Sequence, residues 1–461
     1  MASTHTRPRA DAKILLPGGQ PIRSLATYRE QSGLQALEKV RQKKPEQIIE
    51  TIGRAGLRGR GGAGFPTAKK WEGVRNSHAA MKFICANGAE GEPGTFKDRF
   101  LVRNNPYQIL EGLMIGLSVI GASRAYICLK AAFEPEKEAV ERALREMRTE
   151  VPEAENIELV LGTDEYLYGE EKAMLEVIEG GLPLPRVFPP YIHGLFGGAY
   201  GGPSPEESNP TVVNNVETLA HVPHIINRGQ RWFRSFGTEE SPGTMVFTIS
   251  GDVRRPIVLE LPLGKTLREL IFEIAGGPPN GQRVKAVFPG PANALVPKAA
   301  YDTPLGFDSM KAADSALGSA GFIVYDDTVC MVAVAHAFAR FLYIESCNQC
   351  SPCKIGAREI TERLDSLLQG TGDQEDVEAI LTATKTVEEG QRCFLPTSTA
   401  LVTSSIVSAF PDDFTAHNGD ATCNLRHDLT VPKFLDYVDG EGFRYDLGYM
   451  RKQPDWSYST L

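Results

Sequence analysis

The chain has 461 residues, of which 42% are hydrophobic and 23% charged, with a formal net charge of −9, a balance typical of a globular protein of roughly two to four domains. No dense basic run is present, so nucleic-acid binding is not expected. The two longest apolar runs, 109–122 and 329–344, contain charged residues and fall short of the about 20 apolar residues that cross a bilayer, so direct membrane insertion is not expected.

The first half of the chain alternates segments of strand and helix character. Residues 1–45 form a polar N-terminal arm with short helices. Strands are predicted at 81–86, 124–129 and 157–161, with helical spacings of apolar residues between them. Residues 46–240 therefore predict one α/β domain in which helices cover a parallel sheet.

The pattern changes after a loop rich in Gly, Pro and Ser at 196–210. Residues 241–330 combine several strand segments with one helix at 267–275, which predicts a small α+β domain. Across 331–440 the apolar residues recur at helical spacing, which predicts a bundle of packed helices. Residues 441–461 form a C-terminal tail.

A run of closely spaced cysteines indicates a metal centre. Three of the eight cysteines follow the spacing C-x2-C-x2-C, and no secretion signal accompanies them, which favours a reducing compartment and a metal site over disulfides. This spacing suits three ligands of a [4Fe–4S] cluster whose fourth ligand is distant. Structural zinc, which favours two separated pairs of ligands, and plain buried cysteines are the alternatives. The predicted ligands are Cys347, Cys350, Cys353 and Cys393.

The other four cysteines carry weaker signals. Cys85, Cys128 and Cys330 lie in apolar segments and are predicted to belong to the core. Cys423 lies near the C-terminus and has no obvious partner in the sequence. None of the four is therefore predicted to bind the cluster.

The stretch GLRGRGGAGFPTAKKW at 56–71 matches the pattern G-x-G-x-x-G at Gly59, Gly61 and Gly64. A dinucleotide-binding fingerprint needs a strand before it and a helix after it, whereas here the upstream segment is helical and the strand comes later. Dense glycine with basic residues around it still suits a phosphate held by backbone N–H groups. A mobile linker is the alternative.

Three further clusters combine acidic, amide or aromatic side chains. NGAEGEPG (87–94) follows a predicted strand, at the end of a parallel sheet where ligands bind. YLYGEEKA (166–173) follows the third predicted strand, and VVNNVET (212–218) holds adjacent asparagines whose amides both donate and accept hydrogen bonds. Each cluster alone is more typical of a turn or a solvated face, but together with the cysteine run they indicate a cofactor site.

In this order the motifs resemble those of the NADH-oxidising flavoprotein subunit of respiratory complex I and the related diaphorase subunits of NAD-linked hydrogenases and formate dehydrogenases. The resemblance runs from Pro45 to Pro411 and rests on R-G-G-x-G-F-P-T-x-x-K-W, E-x-E-P-G-x-x-K-D-R, G-E-E, V-N-N-V-E-T and S-C-x-x-C-x-P-C. It implies a Rossmann-like flavin domain, a ubiquitin-like domain of the SLBB type, and a helical bundle with one [4Fe–4S] cluster.

The resemblance also implies FMN as the flavin, NADH as the substrate, and hydride transfer to FMN followed by single-electron transfer to the cluster. The enzyme class would be an NADH dehydrogenase (NADH:acceptor oxidoreductase) subunit, in which the protein supplies orientation and stacking. The residues implied to hold FMN are Gly59, Arg60, Gly61, Gly62, Lys70, Asn87, Val213, Asn214, Asn215 and Thr218. Those implied to line the nicotinamide nucleotide site are Phe65, Glu92, Tyr166, Glu170 and Glu171.

Partners and location follow from the same resemblance. It implies a thioredoxin-like [2Fe–2S] subunit and a larger iron–sulfur subunit as partners. It also implies a cytoplasmic protein, either free or peripheral on the inner face of a membrane through those partners.

The sequence departs from the family pattern at four places. Ala89 replaces an aspartate that contacts the flavin, Gly73 replaces an aromatic residue, Phe188 replaces a lysine, and 197–209 is an insertion. Two alternatives therefore stay open. One is a relative that has lost NADH use and exchanges or bifurcates electrons with another carrier. The other is a cluster-bearing assembly subunit without catalysis.

Overall fold

The structure is a computed structural model that describes residues 13–16, 18, 21–197, 208–417 and 423–459. The insertion predicted at 197–209 lies largely outside the described residues. Among the residues described, no helix combines the length and apolar character that a bilayer crossing requires.

A four-stranded parallel sheet forms the centre of the first half of the chain. Its strands are β1 (Phe83–Asn87), β2 (Arg124–Lys130), β3 (Ile157–Gly162) and β4 (Thr211–Asn215), in the order β3-β2-β1-β4. β1, β2 and β4 are buried along nearly their whole length, as expected of parallel strands covered on both faces. The predicted parallel sheet is confirmed, although β4 was not among the predicted strands.

Ten helices accompany this sheet in the part of the chain that the structure describes: α1 (Leu25–Glu30), α2 (Gln35–Arg41), α3 (Pro45–Ala55), α4 (Thr67–Arg75), α5 (Lys97–Asn104), α6 (Pro106–Ile120), α7 (Glu134–Arg148), α8 (Glu171–Ile178), α9 (Val216–Arg228) and α10 (Gln230–Phe233). The carboxylate of Glu111, buried on α6, accepts hydrogen bonds from the Tyr28 hydroxyl and from the N–H groups of Leu34 and Leu37. These bonds fasten the short helices of the N-terminal arm to the main core.

A second, mixed sheet follows. It contains β5 (Thr244–Gly251), β6 (Ile257–Pro262), β7 (Val284–Phe288) and β8 (Gly321–Asp326) in the order β6-β5-β8-β7. The central pair is parallel and the two outer pairs are antiparallel. α11 (Phe307–Ala312) and a π-helical turn at Glu269–Ile274 accompany it. The α+β character predicted from residue 241 is confirmed, and the helix predicted at 267–275 is this short turn.

The third region is mainly helical as far as Thr415. Its helices are α12 (Met331–Glu345), α13 (Ser351–Leu368), α14 (Gln374–Thr386), α15 (Leu395–Ala409) and α16 (Pro411–Thr415). They pack around one apolar core to which α13 contributes Ile360, Leu364 and Leu367. A hairpin of β9 (Phe434–Val438) and β10 (Gly442–Tyr445) follows, which the sequence pattern did not predict.

Candidate functional site

The parallel sheet has a topological switch point between β1 and β4. From β1 the chain crosses to β2 and then to β3 on one side, whereas β4 lies on the other side. Asn87 and Asn215, the last residues of these two strands, are paired in register. Ligands of open α/β sheets bind outside the carboxyl ends of the strands at such a point. The crevice beside these two asparagines is therefore the candidate cofactor site.

The glycine-rich loop lies against this crevice. Its ends are joined by a hydrogen bond from the Gly59 N–H to the Phe65 carbonyl, at 2.8 Å. A Cβ on Gly61 would stand 3.3 Å from the Cβ of Asn215, so the loop backbone packs closely on the end of β4. Gly62 has a φ of +118°, which other residues rarely adopt. Glycine thus gives the main chain the close approach that phosphate binding requires.

Arg60 has a structural position in this loop. Its guanidinium is fully buried and donates to the carbonyls of Thr244 and Pro242 at 3.2 and 3.1 Å. Its N–H donates to the Thr218 hydroxyl at 2.8 Å. Burial lowers the pKa of Arg60 to about 10, a shift that the charge of Glu217 opposes. The Arg60 side chain is therefore committed to main-chain carbonyls, and the flavin contact that the resemblance implied stays a prediction.

Lys70 reaches the end of β4 from α4. Its Nζ donates to the Val213 carbonyl at 2.8 Å and forms an ion pair of 2.7 Å with Glu171. The neighbouring Trp71 donates its indole N–H to Oδ1 of Asn214 at 2.7 Å. The Asn214 amide is therefore engaged with the core, which leaves the backbone of β4 and Asn215 to face the crevice.

A buried charge cluster orients Asn215. Lys97 Nζ lies 2.6 Å from Asp98, 2.9 Å from Glu217 and 3.2 Å from Oδ1 of Asn215. The Asn215 amide in turn donates to Asp98 at 2.7 Å. Burial raises the pKa of Glu217, and the Lys97 charge offsets part of that rise. Lys97 and Asp98 belong to the K-D-R of the sequence motif, but their role was not predicted.

A cleft opens beside the loop that follows β1, and its described lining includes Glu90, Glu92, Lys130 and Lys433. Oε2 of Glu92 accepts a 2.6 Å hydrogen bond from the Tyr166 hydroxyl, whereas the buried Oε1 has no hydrogen-bond partner among the described residues. A cleft lined by a carboxylate and two lysines suits a ligand that carries both hydroxyl and phosphate groups.

Burial brings the pKa of three charged groups in the cleft to about 7. Burial raises the pKa of Glu92 to about 7. Burial, with the charge of Lys433 beside it, lowers the pKa of Lys130 to about 7. The pKa of Glu90 is also raised to about 7, by burial and by Asp98, but its oxygens accept N–H groups at the start of α5. The lysines were missed from the sequence, although Lys130 ends strand β2 at the ligand-binding edge of the sheet.

The other predicted nucleotide-site residues lie around the cleft. Tyr166 reaches it through its hydrogen bond to Glu92. Glu170 accepts two backbone N–H groups at the start of α8, at 2.9 and 3.0 Å, and so acts as a helix cap. Glu171 pairs with Lys70, and the ring of Phe65 is 53% exposed on the glycine-rich loop. The structure thus brings Glu92 and Tyr166 together, and sets the other three apart from the cleft lining.

Three of the sequence departures also have defined positions. Ala89 is buried, and its N–H donates to Oδ1 of Asn87 at 3.1 Å. Gly73 faces open space and Phe188 is exposed. None of the three belongs to the described lining of the cleft.

The four predicted cluster ligands lie at one end of the helical bundle. Cys347 and Cys350 are in the loop between α12 and α13, Cys353 is in the first turn of α13, and Cys393 precedes α15. All four contact the apolar core of the bundle. Burial raises the pKa of the Cys353 thiol to about 11 and that of Cys393 to about 12, and the Cys347 charge adds to both shifts. Thiolates here need a positive counter-charge, which iron ions would supply.

Short contacts connect the cleft to the cysteines. The Tyr166 N–H donates to Glu345 at 3.0 Å, and Glu345 ends α12 two residues before Cys347. The charge of Glu170 also contributes to the raised pKa of Cys393. These contacts place the cysteines next to the residues around the cleft.

Comparisons with known proteins agree with this arrangement. Three family models match: the Nuo51 FMN-binding domain over 52–224, the SLBB domain over 246–291, and the NADH-ubiquinone oxidoreductase-F iron-sulfur binding region over 333–417. An F-type NADH-quinone oxidoreductase subunit of Rhizobium meliloti (strain 1021) is 38% identical over 419 residues, 87% of this chain and 95% of that protein. The NADP-reducing hydrogenase subunit HndC of Solidesulfovibrio fructosivorans is 33% identical over 414 residues, with 87% and 82% covered.

Solved structures match as well. The crystal structure of an NAD⁺-reducing [NiFe]-hydrogenase in the H₂-reduced state superposes with a TM-score of 0.75 at 32% identity. The match covers 86% of this chain and 67% of that chain.

Proposed function

The chain belongs to the family of F-type NADH-quinone oxidoreductase subunits and hydrogenase diaphorase subunits, and from this membership we propose the roles of its residues. It is an electron-transfer flavoprotein subunit, an NADH dehydrogenase module that works within a larger complex. FMN, when bound, accepts hydride from NADH and delivers electrons singly to the [4Fe–4S] cluster. The observation that carries the proposal is the switch-point crevice between Asn87 and Asn215.

The residues of this crevice fit FMN in chemistry and position. Main-chain N–H groups at Gly61 and Gly62 would bind the phosphate, with the charge of Lys70 nearby. The amides of Asn87 and Asn215 would bind hydroxyl and ring groups, since each amide both donates and accepts. The Lys97 cluster holds the Asn215 amide in one orientation. Arg60 and Thr218 contribute by shaping the loop.

The cleft beside the crevice is the proposed NADH site. Oε1 of Glu92 would accept a ribose hydroxyl, and Lys130 and Lys433 would face the phosphates. Tyr166 fixes the Glu92 carboxylate through Oε2, and the buried Oε1 has no hydrogen-bond partner among the described residues. Glu170 holds the start of α8 between this site and the cysteines.

The cluster ligands are Cys347, Cys350, Cys353 and Cys393 in this proposal. Their position next to Glu170 and Glu345 would give electrons a short path from the crevice to the bundle.

We also propose a division of the chain into domains: 46–240 for flavin and NADH, 241–330 for the SLBB-type domain and 331–440 for the cluster bundle. A thioredoxin-like [2Fe–2S] subunit and a larger iron–sulfur subunit are the proposed partners, and the cytoplasmic side the proposed location.

Affinity for NADH is expected to be highest near pH 7. Below about 7 Glu92 gains a proton and loses the negative charge that strengthens its hydrogen bond to a hydroxyl, and above about 7 Lys130 loses the charge that attracts phosphate. The KM for NADH should therefore rise on both sides of neutrality. Steady-state assays from pH 5.5 to 8.5 with an artificial acceptor measure this profile.

Two variants assign the limbs of that profile. Glu92→Gln should lose most of the acid limb, and Lys130→Met most of the alkaline limb. Glu90 stays in both variants and keeps its oxygens on α5. An acid limb of unchanged size in Glu92→Gln would remove Glu92 from the NADH site.

A further inference from the structure

Two cysteines and two histidines outside the cluster region converge on one point. They are Cys330, His417, Cys423 and His427, and their ligand atoms all lie within 4.8 Å of one another. Cys330 Sγ stands 3.2 Å from Nε2 of His417. Four ligands around one tetrahedral ion, at about 2.0–2.3 Å each, would have their atoms roughly 3.3–3.8 Å apart. The group is therefore close to the geometry of a single-ion site.

Local structure positions the ligands for this. Nδ1 of His417 lies 3.2 Å from the Leu367 carbonyl. Because a carbonyl only accepts, Nδ1 must carry the proton, which leaves the lone pair of Nε2 facing Cys330. Such a bond to the second ring nitrogen is what orients histidine ligands of metals. Cys330 directly precedes α12.

The backbone brings the distant part of the chain to this point. The Cys330 N–H donates to the Arg426 carbonyl at 3.1 Å, and the Arg426 N–H donates to the Thr328 carbonyl at 2.7 Å. Arg426 also forms an ion pair with Asp252 at 2.6 Å. Cys423 and His427 are thereby held beside the start of α12, although they lie more than 90 positions further along the chain.

We propose that these four side chains bind one structural Zn²⁺ ion, separate from the iron–sulfur cluster. A tetrahedral set of two sulfur and two nitrogen ligands favours zinc or an iron–sulfur centre. In a [2Fe–2S] centre with two histidines, the cysteines and the histidines bind different irons, whereas here a thiol and an imidazole adjoin each other at 3.2 Å. Four protein ligands leave no open position, which is the pattern of a structural rather than a catalytic site.

The ion would fasten the C-terminal segment to the helical bundle. That segment, 423–459, supplies Lys433, Phe434 and Asp446 to the lining of the cleft. At its far end Lys452 forms a fully buried ion pair with Glu345 at 2.9 Å. Zinc would thus fix the near end of the segment as the Lys452 pair fixes the far end.

Metal analysis of the full purified chain tests the proposal. We expect about one zinc per chain beside the iron, and zinc K-edge absorption should show two sulfur and two nitrogen neighbours at about 2.3 and 2.0 Å. Cys423→Ser should lose the zinc and keep the iron. His427→Gln, at an exposed position, should do the same and serves as the test if Cys423→Ser folds poorly. Cys393→Ala should do the reverse.

Hydrogen exchange supplies a second readout. Amides at 424–438 should exchange faster in Cys423→Ser, whereas those of α6 should not change. Three results would each overturn the proposal. They are the absence of zinc after expression in zinc-supplemented medium, zinc retained in both ligand variants, and a zinc shell of four sulfurs.

Discussion

Replacing Cys393 with alanine should abolish the [4Fe–4S] cluster and leave FMN bound. Cys393 is the one predicted ligand outside the C-x2-C-x2-C run, so its loss leaves one iron without a protein thiolate. Cys393 lies just before α15, whereas the glycine-rich loop that would hold the flavin phosphate lies just before α4. Iron content per chain and the paramagnetic signal of the reduced protein measure the loss, and flavin released on denaturation measures FMN.

Cys128→Ala is the matched control for this variant. Cys128 is buried in β2 as a core residue, and its truncation should cost about 1 kcal/mol without changing the iron content. A Cys393→Ala protein with full iron and an unaltered signal would show that another residue is the fourth ligand.

Lys97→Met should be the most destabilising single change near the flavin crevice. Lys97 lies between Asp98 and Glu217, and all three side chains are nearly or fully buried. Burial opposes the charge of Lys97, but the two carboxylates outweigh it and raise its pKa. Removing one partner of a buried pair typically costs about 3–5 kcal/mol, because the remaining charge is left uncompensated. We expect the thermal midpoint of the protein to fall by roughly 5 °C.

A second substitution distinguishes lost charge pairing from lost packing. The double variant Lys97→Met, Glu217→Gln removes one of the two stranded carboxylates and should regain part of the midpoint. Lys137→Met, which breaks an exposed pair with Glu134, should change it little. A double variant no more stable than Lys97→Met alone would contradict the role given to the buried charges.

The sequence predicted most of the sheet but not the strand that creates the switch point. Three strands stood out as apolar runs between helical segments. β4 (Thr211–Asn215) has only two strongly apolar residues before its asparagines, and a loop rich in Gly and Pro precedes it. The asparagines that end the strand interrupt its apolar pattern, and they are also the polar groups at its ligand-binding end. The residues that suit a ligand there therefore differ from those that a strand pattern predicts.

The site was predictable where ligands are close in sequence and unpredictable where tertiary packing joins distant residues. The cysteine triplet and the glycine-rich loop carry their own spacing. Arg60 was expected to help hold the flavin phosphate. Its guanidinium is buried and donates to the carbonyls of Thr244 and Pro242, which lie more than 180 positions away in the chain. Cys423 had no visible partner in the sequence, since Cys330 is brought beside it by backbone pairing between 328–330 and 426. The spacing of residues along the sequence does not reveal contacts between segments that are distant in the chain.

Anaerobic titration of the purified flavoprotein with NADH tests the central claim most directly. The account predicts that NADH bleaches the flavin absorbance and that electrons then appear on the cluster. Dithionite serves as the positive control for reducible flavin. Flavin that dithionite bleaches but NADH leaves unchanged would contradict the account and identify a relative that uses another electron carrier. A protein purified with its cluster but unable to bind FMN would contradict it equally, in favour of an assembly subunit.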